Sequence, residues 1–222
     1  MARAFFCSRG ALAWVSRREP RWVVLAVTVI VAAIPLGAIA ASLTTQDIER
    51  ALKLGRGTEA QRARFHARYV VPLPDSVAQY IEVVTEFRRY VLKTEERARV
   101  GDWMFAQGTR AAQEVLRPWR GRVSIIARLQ FDPLNTYPSV PPFVLLVGGS
   151  PQIEPIEGHI TPLRSLPSQA RTRGNGAFTY LVGATVQLDF DAASLGQTER
   201  PVSLILDGRE LGRVTIDFAA IE

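Results

Sequence analysis

The side chains able to do chemistry in this 222-residue chain are few and scattered. Catalysis needs a nucleophile beside a base, paired carboxylates, or a metal. Ser150 stands in Gly148-Gly149-Ser150-Pro151, outside the G-x-S-x-G context of a nucleophile elbow and with no histidine near it in sequence. His66 and His159 are the two histidines, too few for a histidine metal cluster. Cys7 is the one cysteine, which excludes an internal disulfide and a cysteine zinc site. Asp189 and Asp191 flank Phe190, so both carboxylates leave a strand on the face opposite that ring. With Asp132 they make the one acidic set with calcium chemistry, although a solvated strand end is the preferred reading. The stretch Arg171-Thr172-Arg173-Gly174-Asn175-Gly176 holds cations and glycines suited to an anion, and reads first as a hairpin tip. These residues predict no enzyme, no metal and no cofactor.

The elements that would position them start with a membrane segment. Residues 22–43 run for 22 positions without a charge. A membrane-spanning helix needs roughly 20 such residues. The run exceeds the ~7–15 residues of a cleaved signal's apolar core, so it is expected to stay as an anchor. Pro35 should kink it, and Trp22 falls where an interfacial aromatic belongs. The flank 1–21 carries five arginines, Arg3, Arg9, Arg17, Arg18 and Arg21, against Glu19. That bias predicts the N-terminus in the cytoplasm and the C-terminal part in the periplasm of a bacterium. With no histidine, acid, lysine or arginine, the run cannot bind haem through histidine, relay protons or sense voltage. Ala33, Gly37 and Ala41 are four apart and form a small-residue stripe for packing against another helix.

Charge divides the rest of the chain. Residues 50–122 hold 15 basic and 8 acidic groups, and residues 123–222 hold 7 basic and 10 acidic. The basic part could rest on anionic lipid or an acidic partner. No nucleic-acid motif is present, and the compartment is wrong for one. Of the 27 basic residues only Lys53 and Lys93 are lysines, a bias that reads as coding preference rather than chemistry. Hydrophobic residues at 47% with 22% charged exclude a disordered chain.

The spacing predicts a helix capped by Thr45 and running to about Leu54, and a second over 59–69 capped by Thr58. Residues 71–74 are extended because of two prolines. Val77, Tyr80, Ile81, Val84, Phe87 and Val91 predict a helix over 76–99. Asp102 would cap another, ending near Leu116, with Trp103 and Phe105 packed. From Arg120 the period becomes 2. Val123, Ile125, Ala127, Leu129 and Phe131 alternate, as do Val182, Ala184, Val186, Leu188 and Phe190. The apolar run 143–147 predicts a central strand. Asp207-Gly208 between two strands predicts a type I′ hairpin. Short strands are expected near Ile153 and Ile160.

The fold class expected is therefore a single transmembrane helix plus an α+β extramembrane part, a helical juxtamembrane region followed by an antiparallel β-sandwich of Ig-like architecture. The divisions are a cytoplasmic tail at 1–21, the span at 22–43, the helical region at 44–119 and the sandwich at 120–222. Eight of the 14 prolines fall within 133–167. They make two extended connections, in which Pro133, Tyr137, Pro141, Pro142, Pro155 and Pro162 are candidate partner contacts.

Two functions fit. The first is a non-catalytic accessory subunit of a larger inner-membrane complex, photosynthetic or respiratory, whose partners are other subunits and the lipid bilayer. The second is a membrane-tethered periplasmic module that binds a peptide, a glycan or an ion.

Overall fold

Thr44, one residue before the expected cap Thr45, opens the first helix. It caps α1 (Thr45–Gly55) in a capping box with Asp47. The Thr44 hydroxyl and N–H donate to Asp47 Oδ2 at 2.7 and 3.1 Å, and these bonds hold the carboxyl below its usual range. Thr58 and Gln61 repeat the device at α2 (Glu59–His66), and a 3₁₀ turn over Ala67–Tyr69 follows. Such boxes satisfy backbone N–H groups that a helix start leaves free.

The computed structural model describes residues 43–73, 76–105, 108–149, 151–165, 171–173 and 176–221, all within one compact unit, Pro35–Glu222. Apart from Leu43, the apolar run 22–43 lies outside these residues, and so do Ala33, Gly37, Ala41 and Ser150. Among the described residues no helix is long and apolar enough to cross a membrane.

The architecture is α+β with antiparallel sheets. The strands are β1 (Val70–Pro72), β2 (Ala78–Val84), β3 (Arg122–Gln130), β4 (Val144–Val147), β5 (Glu157–Arg164), β6 (Arg171–Arg173), β7 (Gly176–Phe178), β8 (Leu181–Asp191), β9 (Glu199–Leu206) and β10 (Arg209–Asp217). Three further helices are α3 (Glu86–Arg99), α4 (Thr109–Leu116) and the single turn α5 (Ala192–Leu195). A five-stranded sheet runs β1-β2-β3-β8-β5, and a three-stranded sheet runs β10-β9-β4. The pair β6-β7 forms a two-stranded ribbon, and Gly174 and Asn175 of the expected hairpin tip lie outside the described residues.

Register explains the core. Ile81, Val83, Ile125, Ala127, Val186 and Phe190 share one face of the large sheet, because Ile81 pairs with Ala127 and Ala127 with Val186. They join Leu145, Val147, Val202, Leu204, Ile216 and Phe218 of the small sheet in one buried cluster. The helices add Ile48, Ala51, Phe87, Tyr90 and Val91. Burial pushes the Tyr90 hydroxyl up to about 12, so it stays protonated there.

The structure corrects three expectations. The helix over 76–99 is a strand followed by a helix. Residues 78–84 pair with β1 and β3, Thr85 then caps α3, and the Arg88 N–H donates to its hydroxyl at 3.2 Å. Its apolar residues lie on both faces of the strand, Ile81 and Val83 on one and Tyr80 and Val84 on the other, so the run imitates helical spacing. The helix near 102–116 starts only at Thr109. Asp102 instead pairs with Arg97 at 3.9 Å, and Trp103 is 54% exposed. The run 143–147 supplies an edge strand, not a central one, and Val144 is 48% exposed. Its apolar character serves alternating burial of Leu145 and Val147 rather than two covered faces.

The predicted hairpin is present. Asp207 and Gly208 have φ of 50° and 75°, and Arg209 pairs with Leu206. Positive φ at both central residues is what a type I′ turn requires.

Candidate functional site

Helices α1 and α2 fold against each other through a short joint. Gly55, Arg56 and Gly57 end the first, and the Arg62 guanidinium donates to the Gly57 carbonyl at 2.5 Å. Ile48, Ala51 and Gly55, spaced by three and four, turn α1 toward the core. The opposite side then faces α2 across a groove of about 730 Å³. Arg50, Lys53, Arg64 and Arg68 line it, with Leu54, Phe65 and Gln61 between them, and no carboxylate among the lining residues. Two aromatic rings hold two of the cations. The Arg50 guanidinium lies 4.5 Å from the Phe87 ring centre and the Arg68 guanidinium 5.5 Å from that of Phe65. Arg50 also pairs with Asp47 at 3.3 Å.

The other face of α2 enters an ionic network. His66 Nε2 lies 2.5 Å from Glu95 Oε1, and the Arg88 Nε–H donates to His66 Nδ1 at 3.4 Å. Arginine stays protonated, so Nδ1 accepts and the donor set assigns the proton to Nε2. Arg88 also donates to Glu82 Oε1 and to the Val83 carbonyl, both at 2.5 Å, and covers the Tyr69 ring at 4.9 Å. Burial lowers the pKa of Arg88, and Glu82 opposes that shift. Glu95 further meets Arg62 at 3.7 Å and Arg99 at 3.5 Å. Both imidazole nitrogens are engaged, so His66 has none left to act as a base on a substrate. The network clamps β2, α2 and α3 behind the groove, and removing one member would strand a buried charge.

A second charged contact joins α3 to the sheet. Arg89 donates to the Ser124 hydroxyl and lies 4.8 Å from the Trp119 ring centre. Burial lowers its pKa, and the buried Asp189 opposes the shift.

The other predicted site residues fall apart. Asp191 pairs with Arg122 at one end of the β3–β8 ladder, and Asp132 follows the other end, beyond Gln130. Asp191 accepts from the Ser194 N–H at 3.1 Å and caps α5. Asp132 accepts from the Leu134 N–H at 2.6 Å, and Asp189 from Gln187 at 3.0 Å. Among the described residues no group of three or more His, Cys, Asp or Glu is placed to hold a metal. Pro133, Pro142 and Pro155 are exposed, and Pro141 is half-buried. Tyr137 packs edge-on against Phe131 at 5.3 Å and is 45% exposed. Pro162 lies inside the edge strand β5, where a missing N–H is tolerated. His159, on the same strand, pairs with Glu157 at 3.2 Å.

Sequence reasoning missed the His66 network, whose members are 22 and 29 residues away from the histidine. No local signal links them. The groove did leave a signal, the basic excess of residues 50–122. Compared with known protein families, curated proteins and solved structures, the chain matches none.

Proposed function

We propose that the chain is a single-pass protein of a bacterial inner membrane, with its N-terminus cytoplasmic and its α+β part periplasmic. It acts as a non-catalytic accessory subunit of a larger complex, photosynthetic or respiratory, and docks on partner subunits. The observation that carries this reading is the uncharged 22-residue run behind five arginines. Two features support it. The small-residue stripe Ala33, Gly37 and Ala41 offers a helix-packing face. The best-placed titratable cluster, around His66, has its donors and acceptors engaged with one another. In this reading the two sheets are layers of a β-sandwich of Ig-like architecture, with β1 and β2 added to one layer, and the exposed proline loops are contact arms.

A second reading, a tethered binding module for a peptide, glycan or ion, is favoured by one patch. Leu134, 80% exposed, and Tyr137 border an open depression of about 390 Å³ that also takes in Asp132 and Asn135.

Blue-native electrophoresis of membranes in mild detergent tests the first reading, with Gly37→Leu as the probe and Leu36→Ala as its control. Wild type and control should migrate with a complex well above the 24.6 kDa of one chain. Gly37→Leu should stay in the membrane but leave the complex, because leucine blocks close helix approach. Wild type running as a lone chain would sink the accessory-subunit reading.

A further inference from the structure

The proposed function leaves the α1–α2 groove without an occupant. We propose that it holds the phosphate headgroup of an anionic phospholipid from the leaflet where the anchor emerges. The inference rests on the reading of residues 22–43 as a membrane anchor.

Charge gives the first argument. Lys53 and Arg64 form no ion pair among the described residues, and with Arg50 and Arg68 they surround a groove whose lining lacks a carboxylate. A phosphate placed there meets Lys53, Arg64 and Arg68 directly, and the nearest carboxylate, Asp47, is paired with Arg50.

The lining gives the second. Half-buried Leu54 puts apolar surface beside the cations, and Phe65, almost wholly buried, lines the floor beneath it. A free phosphate or an acidic peptide makes little use of that surface. A phospholipid presents its glycerol and ester region next to its phosphate, and so uses both.

The tether gives the third. Between Leu43 and Lys53 the chain has two residues at up to ~3.5 Å and eight helical ones at ~1.5 Å. Lys53 therefore lies within about 20 Å of the end of the apolar run, whatever direction α1 takes. Exposed cations near an anionic surface strengthen binding by roughly fivefold each, so Lys53, Arg64 and Arg68 make a site of about ten-millimolar affinity, to which Arg50, paired with Asp47, adds less. Such a site fills only when its ligand is presented at high local concentration. A bilayer at the end of a short tether does that.

The test uses the full chain, purified in an uncharged detergent and titrated with phosphatidylglycerol in mixed micelles, with retained lipid read by native mass spectrometry. Phosphatidylcholine, inorganic phosphate and polyglutamate serve as comparison ligands. Wild type and the control Arg164→Gln with Arg209→Gln should retain phosphatidylglycerol over phosphatidylcholine. Lys53→Gln with Arg64→Gln should bind it about 25-fold more weakly at an unchanged melting temperature. If that pair also lowers the melting temperature, Arg68→Gln alone should still show a loss of about fivefold. Equal retention by these variants and wild type overturns the proposal. So does displacement of the lipid by equimolar phosphate or polyglutamate, which would assign the groove to a soluble anion or an acidic protein. Alkaline extraction of native membranes separates the two failures. Release of the chain sinks the anchor and the proposal with it, whereas retention without lipid selectivity sinks the groove alone.

Discussion

Gly55→Ala should destabilise the protein, although alanine is the better helix former. Gly55 is the buried last residue of α1. A Cβ there would sit 2.6 Å from Thr94 Cβ, 2.8 Å from Thr94 Cγ2 and 2.8 Å from the Val91 carbonyl oxygen, where ordinary contacts begin at 3.4 Å. Thr94 cannot swing away freely, because it is buried and its hydroxyl donates to the Tyr90 carbonyl at 2.9 Å. The Val91 oxygen is backbone. The helix α1 must therefore lift from α3 by a few tenths of an ångström or more, which loosens Ile48 and Ala51 in the shared core. Overpacking of this kind costs about 1–3 kcal/mol. Alanine recovers at most ~1 kcal/mol of helix propensity, and less at a helix end. The net loss should be about 1–2 kcal/mol. At roughly 2–4 °C per kcal/mol for a chain of this size, the melting temperature should fall by about 2–8 °C. Thermal unfolding of the purified full chain, followed by near-ultraviolet circular dichroism, measures it. Gly149→Ala is the control, since a Cβ there meets nothing within 4 Å. Adding Thr94→Ser, which removes Cγ2 and keeps the hydroxyl, should recover part of the loss. A Gly55→Ala melting temperature at or above wild type would refute the argument that α1 and α3 are in such close contact.

Gly208→Val should lower the melting temperature by about 2–4 °C. Gly208 has φ of 75° with nothing within 4 Å of a Cβ, so the cost, about 1 kcal/mol or more, is conformational alone. Gly208→Asn should lose less than half as much, and equal losses would remove positive φ as the cause. Burial pushes the Glu86 carboxyl above its ordinary value of 4.5, against the Gly121 N–H and Arg120. A carboxyl raised on folding stabilises the fold while protonated. That contribution is fully present below the ordinary value and is lost as pH rises through the raised one. Glu86→Gln should therefore melt above wild type at pH 7, with the gap closing as pH falls toward about 4. A gap independent of pH would mean that Glu86 is not the group titrating.

Local rules decided much of this protein. Threonine oxygens at 44 and 58 cap their own helices, alternation from Val123 to Phe131 writes β3, and Asp207-Gly208 closes its hairpin, because each depends on neighbours a few residues away. The basic excess of residues 50–122 likewise announced a cationic surface, since charge is additive along a chain. Residues 76–99 show where local rules stop. Tyr80, Ile81, Val84, Phe87 and Val91 satisfy a helix and equally a bulged strand followed by a helix. The ladders to β1 and to Ile125 and Ala127, the latter more than forty residues on, select the strand, because its backbone hydrogen bonds need partners that the segment does not contain. The apolar run 143–147 ends at a sheet edge for the same reason, as hydrophobicity does not encode strand order. The clamp of Glu82, Arg88, His66 and Glu95 and the groove in front of it belong to tertiary structure as well. Residues 22–29 positions apart meet His66 only after α2 and α3 have packed, and a contact of that range leaves no spacing to read.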